Sequence, residues 1–429
     1  MRTEYDVIVA GGGPAGIAAA VSAARCGMQV ALIERFGILG GMLTAGAVQP
    51  ILGSTAPGTM YHELVALLRE GHEQTPACRT RNGEEVHVDV EEAKYRLLDL
   101  VCRHGIDVYL QTAIADVVME GRKIVGVCVT SQNGLQTLRA KRFVDATGDG
   151  FLASRAGADY EIGRAEDGKC QPVSVEFTLE HVDERTGLTC WGGSDPVCLP
   201  DGELFSARCR RAHEDGELPE NVSIVRLHRT FYPGERNVNA TQVNGLDSLT
   251  PDGIRRSELT LRAQIPQIVQ FLRKNAPGYE NCRVKSSGAA LGVRETRRIR
   301  GLYTLSDADV EQGARFRDVV VHKAWFLIDI HNPSGGGQAE GRSQPAKAYD
   351  IPLRCLIPAQ VDGMLLAGRC ISGTHRAHAS YRVMAICMAT GQAAGIAAAV
   401  SIRENTAPCE TSAALVQQEL ERCGAELWD

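Results

Sequence analysis

Two histidines separated by two residues are the first side chains in this sequence whose type and spacing could do chemistry. They lie in the segment Thr374-His375-Arg376-Ala377-His378. Imidazole titrates near neutral pH, so either histidine could donate or accept a proton in a reaction. The alternative is that both rings satisfy backbone groups of a loop. Because no third ligand lies nearby, the pair predicts no metal site.

A carboxylate and an imidazole alternate with apolar side chains in residues 325–331. This alternation predicts a strand with Asp329 and His331 on one face. The carboxylate could then orient the imidazole, which makes His331 a second candidate for catalysis. The alternative is a histidine at a strand end that bonds to the backbone of Asn332.

A dense charged patch interrupts an apolar stretch and supplies the third candidate. It contains Arg294, Glu295, Arg297 and Arg298. Guanidinium groups bind carboxylates and phosphates through paired hydrogen bonds, so Arg294 could help to bind a substrate. The alternative is an ion-pair network between domains.

A glycine-rich turn near the start of the chain indicates a nucleotide site. The apolar residues 7–10 predict a strand, and Gly11-Gly12-Gly13-Pro14-Ala15-Gly16 precedes a helical pattern. In such a turn, Gly11 permits the sharp bend, Gly13 admits a pyrophosphate, and Gly16 allows close packing of helix and strand. The N-terminus of the helix then faces the phosphates with free N–H groups.

A second predicted strand, residues 29–33, ends in an acidic residue. Glu34 follows the glycines by about twenty positions, where a carboxylate accepts hydrogen bonds from ribose hydroxyls. The strand, the turn and the acid together predict a dinucleotide-binding domain.

The composition is that of an α/β protein with a large core. The chain has 429 residues, of which 44% are hydrophobic and 23% charged, and its net charge is −6. This length predicts two or three domains, and the negative charge argues against nucleic acid as a partner. Because the first strand begins almost at Met1, we expect no signal peptide. We also expect no membrane span and a cytoplasmic location.

The fourteen cysteines form no C-x-x-C pair and are scattered through apolar segments. Cys102, Cys128, Cys355 and Cys387 are examples. We interpret them as buried free thiols in a reducing compartment, without a disulfide framework or structural zinc.

The remaining pattern divides the chain into three parts. Helices are predicted at 91–103, 257–273 and 380–400, a capping box at 306–309, and strands at 106–110, 116–119, 124–130, 142–145, 173–179 and 363–367. The strands between 106 and 130 suggest a small antiparallel meander. The pattern of the first domain returns near the C-terminus, so we expect a discontinuous dinucleotide domain of residues 1–158 and 345–429. An α+β substrate domain, residues 159–344, is inserted between them.

Several segments together resemble a known family. They are residues 11–16 with Glu34, 39–46, 145–150, 292–299, 329–333, 367–372 and 389–395. The set is similar to the FAD-dependent oxidoreductases of the glutathione-reductase-like superfamily, near the flavoproteins of fumarate reductase and succinate dehydrogenase. The likeness covers nearly the whole chain. It implies an α/β fold with a discontinuous Rossmann-like FAD-binding domain, a small β-meander and an inserted substrate domain.

The resemblance also implies which residues hold FAD. Those for the ADP half are Gly11, Gly13, Pro14, Ala15, Gly16, Glu34 and Arg35; those along the pyrophosphate are Gly40, Gly41, Met42 and Thr44; Ala146, Thr147 and Gly148 lie near the adenosine. Gly368 and Arg369 would cover the ribityl chain, and Arg382, Val383 and Met384, in the first turn of the last helix, would face the flavin pyrimidine. The alternative for this helix is simple core packing. The resemblance also places His375 and His378 beside the flavin.

Residues 35–47 contain no histidine, cysteine or tyrosine. The covalent flavin link of the succinate dehydrogenase type therefore has no donor there, and we expect noncovalent FAD. Residues 335–337 are three glycines without a helical pattern after them, so they predict a loop rather than a second nucleotide motif for NAD(P)H.

These features predict a dehydrogenase or reductase that transfers a hydride between a small polar substrate and FAD. His375 or His378 would move the proton, and Arg294 would help to bind the substrate. One alternative is a reductase of activated C=C bonds, similar to fumarate reductase. Another is a flavin-bearing subunit that passes electrons to a partner chain. The electron acceptor or donor stays open, and a homo-oligomer is compatible with the sequence.

Overall fold

The computed structural model describes residues 2–72, 78–80 and 83–429. The helices are α1 Pro14–Arg25, α2 Met60–Arg69, α3 Val90–Arg103, α4 Phe151–Arg155, α5 Phe205–Glu214, α6 Pro251–Asn275, α7 Asp307–Gln312, α8 His375–Tyr381, α9 Met384–Arg403 and α10 Ala413–Arg422. The strands are β1 Glu4–Ala10, β2 Val30–Ile33, β3 Cys78–Thr80, β4 Gly83–Glu85, β5 Asp107–Tyr109, β6 Ala113–Glu120, β7 Lys123–Ser131, β8 Gly134–Asp145, β9 Tyr160–Ile162, β10 Phe177–Glu180, β11 Arg226–Arg229, β12 Arg236–Asn239, β13 Arg283–Ser287, β14 Arg297–Ile299, β15 Val319–Ala324, β16 Tyr349–Pro352 and β17 Met364–Leu366.

The main sheet has the order β5-β2-β1-β8-β7-β6, and β17 pairs with β8. Strands β5, β2, β1, β8 and β17 are parallel, whereas β6, β7 and the first half of β8 form an antiparallel meander. All four residues of β2 are buried, as expected for a parallel strand covered on both faces. The predicted α/β fold with a Rossmann-like sheet is confirmed.

Strand β8 belongs to both halves of this sheet. Its first half pairs with β7 and is mostly exposed, and its second half pairs with β1 and β17 and is buried from Arg142 to Asp145. The expected meander of residues 106–130 is therefore partly wrong. Strand β5 lies at the opposite edge and pairs parallel with β2, with Ala31 opposite Asp107.

A second sheet of four antiparallel strands has the order β11-β12-β10-β13. One face of it carries Phe177, Leu179, Leu227 and Val238, which pack with residues of α5 and α6 in a hydrophobic core. That core draws on residues 173–291. The core of the main sheet draws on residues 5–158 and 299–427, so residues 299–330 pack with the main sheet rather than with the segment before them.

Two predicted strands are not continuous in the structure. Residues 173–179 contain only the start of β10, because the N–H of Val175 donates to the side chain of Thr241 instead of a neighbouring strand. Residues 325–331 form isolated bridges to three separate partners, at Ser54, Gln344 and Gln338. The alternating pattern is present, but no single strand lies beside it.

The predicted helix at 380–400 is two helices. Helix α8 begins after Thr374, whose side chain accepts a hydrogen bond from the N–H of Ala377. Extended backbone at Val383 separates α8 from α9. The segment with His375 and His378 is therefore helical rather than a loop. The predicted helices at 91–103 and 257–273 are confirmed as α3 and part of α6.

Smaller predictions have mixed outcomes. The capping box of Ser306 and Asp309 is present at the start of α7, and residues 335–337 lie in a loop. The cysteines whose side chains the structure describes, all except Cys78, are free, but Cys102 is exposed and Cys128 is half-buried, whereas Cys355 and Cys387 are buried as expected.

Helix α9 is long and apolar enough to cross a membrane, which the sequence analysis did not anticipate. It has 20 residues, and its most apolar window has a mean hydropathy of 1.6. Of that window, 94% is buried inside the protein. This burial is typical of a helix in a protein core.

Helices α1 and α9 approach each other backbone to backbone. A Cβ atom at Gly391 would lie 2.1 Å from the carbonyl oxygen of Ala15, and one at Gly395 would lie 2.2 Å from that of Ala19. Each contact advances four residues along both helices, so the two run parallel and begin at the same end. The small residues of both helices permit this approach.

We expect Gly395→Ala to lower the free energy of unfolding by about 1–3 kcal/mol, because the added methyl group must push the two helices apart. In an exposed helix, replacement of glycine by alanine stabilises the protein. The sign of the change in unfolding free energy therefore tests the helix contact. Thermal or urea unfolding measures it. Gly192→Ala is the control, since no atom lies within 4 Å of its added Cβ. Equal stability of the two variants would contradict the expectation.

Candidate functional site

A cleft of about 440 Å³ lies at the carboxyl ends of the parallel strands. Ligands of open α/β sheets bind at this edge. Its lining includes Gly11, Gly13, Pro14, Ala15, Ile33, Glu34, Arg35, Phe36, Gly41, Met42, Thr112, Ala113, Ile114, Ala146, Thr147, Gly148, Asp149 and Phe151 from the first part of the chain. It also includes Ser248, Leu249, Ile254, Leu291, Val293, Arg297, Ala367, Gly368, Arg369, Arg382, Met384 and Cys387.

The turn between β1 and α1 leaves room for a ligand at one glycine and none at the other two. Gly11 has a φ of +94°, and a Cβ there would lie 2.6 Å from the carbonyl oxygen of Ala146. A Cβ at Gly16 would lie 1.8 Å from the carbonyl oxygen of Gly11. At Gly13 the nearest atom is 3.9 Å away, at Gly41. This opening at the start of α1 fits a pyrophosphate.

Glu34 lies at the end of β2, at the position expected for the ribose. Its carboxylate accepts hydrogen bonds from the N–H groups of Gly12 at 2.6 Å and Phe36 at 2.8 Å. Burial raises the pKa of Glu34, although these two hydrogen bonds act in the opposite direction. The carboxylate is thus fixed beside the cleft with further lone pairs to offer.

An ion pair joins two loops that border the cleft. Arg369, after β17, lies 2.5 Å from a carboxylate oxygen of Asp149, after β8, and Thr296 donates to the same oxygen at 2.9 Å. Burial alone would raise the pKa of Asp149, but the charge and hydrogen bond of Arg369 outweigh it and lower that pKa. Asp149 belongs to a recognised motif but was not predicted as a site residue.

The other end of the cleft is formed by the start of α9. Met384 and Cys387 line it, and Arg382 precedes them. Arg382 donates to the backbone oxygen of Asp329 at 2.9 Å and to its carboxylate at 3.2 Å. The positive end of the helix and this guanidinium both favour negative charge in the cleft. The cleft reaches the starts of both α1 and α9, where the sequence analysis expects the phosphates and the ring of FAD.

Four residues predicted to hold the cofactor do not line the cleft but support its walls. Gly16 packs against Gly11. Gly40 lies beside Thr44, whose hydroxyl donates to the carbonyl of Leu39 at 2.6 Å, so both shape the loop before Met42. Val383 packs against the backbone at Gly53. The other predicted cofactor residues lie in the lining.

The cleft also has lining residues that sequence reasoning missed. They are Ile33, Phe36, Thr112, Ala113, Ile114, Asp149, Phe151, Ser248, Leu249, Ile254, Leu291, Val293, Arg297, Ala367 and Cys387. Most are ordinary apolar or small residues in segments without a motif. Asp149, Val293, Arg297 and Ala367 lie in segments that resemble the family, and of these four only Asp149 and Arg297 have charged side chains.

The two histidines of α8 lie outside the cleft lining. His375 bonds through Nδ1 to Glu295 at 2.9 Å, and Glu295 forms a buried ion pair with Arg298. His378 is buried against Tyr381, and its Nδ1 has no hydrogen-bond partner in the described part of the chain. Burial and the charge of Arg298 hold the pKa of His378 well below its ordinary value. A role in proton transfer for either histidine stays a prediction.

The patch around Arg294 divides into two environments. Glu295 and Arg298 form the ion-pair network that was the alternative interpretation. Arg294 is separate from it and donates to the carbonyl of Pro172 at 2.9 Å and to the side chain of Asn239 at 3.2 Å. Burial, together with the positive charge of Arg382, lowers the pKa of Arg294 to about 9. Its guanidinium therefore lies near the α9 end of the cleft.

Asp329 and His331 are close, as the alternation predicted, with 3.3 Å between carboxylate and ring. Burial, followed by the charge of Arg294, lowers the pKa of His331 to about 3. Burial would raise the pKa of Asp329, but His331 and Arg382 outweigh it and hold that pKa well below its usual range. At neutral pH the ring is uncharged and the carboxylate is ionised.

The second face of the four-stranded sheet is polar yet buried. Because side chains alternate along strands, this face carries Thr178 of β10, Arg226 and His228 of β11, and Asn237 and Asn239 of β12, with Glu176 just before β10. The face lies against the loop that follows Met42. Gln49 donates to Thr178 at 2.7 Å, and Asn237 donates to the carbonyl of Ala47 at 3.0 Å. It was not predicted from the sequence.

Glu176 is one of the incompletely satisfied groups of this face. It is 5% exposed, and its Oε2 has no hydrogen-bond partner in the described residues. Burial raises the pKa of Glu176 to about 7, although the charges of His228, Arg294 and Arg226 act against the rise. This carboxyl exchanges its proton near neutral pH.

Comparison with known proteins gives one family over nearly the whole chain. Residues 6–420 match the family described as FAD dependent oxidoreductase.

Curated relatives match shorter segments. The thiamine thiazole synthase of Methanothermobacter thermautotrophicus is 32% identical over 157 residues, which are 34% of this chain and 56% of that protein. The digeranylgeranylglycerophospholipid reductase of Picrophilus torridus is 30% identical over 232 residues, 48% of this chain and 53% of that protein. The chain spans about half the length of these relatives. Among solved structures, the flavin-dependent brominase Bmp2 aligns with 97% of this chain and 84% of that chain at 14% identity, with a TM-score of 0.52, a likeness of fold alone.

Variants at two glycines of the first turn distinguish an effect on cofactor binding from an effect on folding. We expect Gly13→Ala to fold normally, because its φ is −76° and its Cβ meets only open cleft, but to bind FAD about tenfold more weakly or worse. Gly11→Ala, with a positive φ and a backbone clash, should lose stability without FAD as well. Flavin fluorescence titration and thermal unfolding of the apoprotein measure the two effects. Unchanged FAD affinity in Gly13→Ala would contradict the assignment.

Replacement of Glu176 by glutamine should change how stability depends on pH. The native carboxyl has a pKa of about 7 and an ordinary glutamate one of 4.5, so in this interval the native state binds more protons. Stability therefore falls as pH rises through it, by about 3 kcal/mol for this group. We expect Glu176→Gln to flatten that fall in chemical unfolding between pH 4.5 and 7.5, and exposed Glu214→Gln to leave it unchanged. A profile as steep as that of the wild type would show that the carboxyl ionises normally.

Proposed function

The chain belongs to the FAD-dependent oxidoreductase family, and we propose that it transfers a hydride between noncovalently bound FAD and a small polar substrate. The substrate would lie between the α9 end of the cleft and the polar face of the four-stranded sheet. FAD, when bound, supplies the hydride chemistry, and the protein supplies orientation, charge and a proton site.

The buried polar face of the sheet is the observation that carries this proposal. Buried polar groups are costly unless they have partners, yet Glu176 Oε2, Asn237 Oδ1 and Arg382 Nε have none in the described part of the chain. Arg294 lies between the sheet and the cleft. It donates to Asn239 of the sheet, and its charge interacts with that of Arg382 at the cleft. A polar substrate would satisfy these groups.

The residues on either side suit separate tasks. Arg382 and the start of α9 would stabilise negative charge at the ring of the reduced cofactor. Glu176, with its pKa of about 7, could accept or release the proton that accompanies the hydride. His331 suits a different task, because its neutral ring orients groups but does not release a proton near neutral pH.

Noncovalent binding of FAD has support from the thiols as well as from residues 35–47. Cys387 lines the cleft at the α9 end and is the one cysteine among the described lining residues. Burial raises the pKa of its thiol to about 12, so the thiolate that would attack a flavin is disfavoured. Its sulfur also lies within hydrogen-bond distance of the carbonyls of Tyr381 and Arg382.

An anaerobic flavin-reduction screen tests the proposed function. The holoenzyme is mixed with polyols, sugars, hydroxy acids and amines, with NADH and NADPH alongside, and the flavin absorption band is followed. We expect one class of polar substrate to bleach the flavin, and acid denaturation to release all FAD from the protein. Bleaching by reduced nicotinamide followed by reoxidation with an unsaturated acid would favour the C=C reductase. No reaction with any small molecule would overturn hydride transfer and favour an electron-transfer subunit.

A further inference from the structure

We propose that Arg226, together with Arg294, binds a carboxylate group of the substrate, so that this protein acts on a carboxylic acid. The inference rests on the proposed function and deepens it, since it names the substrate class of the same site.

Strand register brings the two guanidinium groups together. Arg226 on β11 lies directly opposite Asn239 on β12, so both side chains project from the polar face of the sheet. The amide oxygen of Asn239 accepts a hydrogen bond from Arg294 at 3.2 Å. Asn239 is therefore a neighbour of both arginines, and the two head groups share one side of the sheet.

Arg226 differs from the other deeply buried arginines of this protein. Its side chain is 7% exposed, and it has no hydrogen bond or ion pair within the described residues. Arg236, Arg298 and Arg142 are similarly buried, and each uses its guanidinium for three or more hydrogen bonds. A buried charge without a partner is strongly unfavourable. The contrast indicates a group whose partner is a ligand.

The charged groups around Arg226 have a net positive charge that a negatively charged ligand can balance. Its charge acts on Glu176, Asp329, Arg294 and His331. With Arg382, which bonds to Asp329, the cluster holds three guanidinium groups against Asp329 and the ionised form of Glu176, and His331 is neutral.

His228 also acts on Glu176, and it faces Glu85 at 3.3 Å; burial would lower the pKa of His228, but its hydrogen bond to Glu85 and the charge of that carboxylate outweigh burial and raise it. When Glu176 is ionised, one monovalent carboxylate balances the remaining positive charge. The planar fork of a guanidinium also matches the two oxygens of a carboxylate.

Binding to the oxidised holoenzyme tests the proposal without turnover. The probes are acetate, glycolate, lactate, malonate and succinate, each compared with its amide, and phosphate is included. Perturbation of the flavin absorption spectrum and isothermal titration calorimetry give the Kd values. We expect at least one carboxylate to bind the wild type about tenfold or more tightly than its amide, because a charged hydrogen-bond pair is lost in the amide.

Variants then assign the binding to this residue. Arg226→Gln should weaken carboxylate binding by about tenfold or more, and Arg226→Lys should restore part of it because the charge is kept. Arg283→Gln is the matched control, since Arg283 is an exposed arginine of β13 in the same sheet. We expect it to bind like the wild type.

Three results would overturn the proposal. They are equal affinity for a carboxylate and its amide, equal carboxylate affinity in the wild type and Arg226→Gln, or binding of phosphate with no carboxylate bound. The comparison of acid with amide uses the wild type, so it tests carboxylate binding even if the Arg226→Gln variant does not fold. The binding test does not depend on turnover. If no carboxylate binds, the hydride-transfer proposal can still be correct. If the flavin-reduction screen shows no turnover, the protein can still bind a carboxylate.

Discussion

The backbone contact between α1 and α9 is the constraint on which the cofactor cleft depends. Gly391 and Gly395 let α9 lie directly on the carbonyl groups of Ala15 and Ala19. The two helices therefore begin at the same end of the sheet, one beside Gly13 and the other beside Arg382. Two positive helix ends from opposite parts of the chain thus face one cleft.

The same close packing fixes the loops between these helices and the polar sheet. The N–H of Gly368 donates to Thr390 of α9 at 3.0 Å, and Arg369 then reaches Asp149 across the cleft. At the other end, Arg382 is tied to Asp329, which contacts His331. Arg382 and Asp329, two of the charges near the proposed substrate position, thus lie at the start of α9.

The nucleotide half of the site was accessible from the sequence because its residues are contiguous. Residues 11–16 and Glu34 lie in a fixed order on one strand-turn-helix unit, so local pattern determines their geometry. The polar face of the sheet could not be predicted from the sequence. Glu176 precedes β10, whereas Arg226 and Asn239 lie on β11 and β12. Each alternates with core residues, and many exposed sheet faces have the same alternation. The break at Val383 was also missed, because the small apolar residues on both sides suit one continuous helix.

The pairing of β8 has a consequence for synthesis of the chain. Phe143 of β8 pairs with Met364 of β17, and its other neighbour, Ile8, lies near the N-terminus. While the ribosome adds the residues between them, the buried half of β8 has one open edge of unpaired N–H and C=O groups. Such edges pair readily with other chains. In the nascent protein this edge therefore stays open, or is covered by chaperones or transient contacts, until β17 emerges.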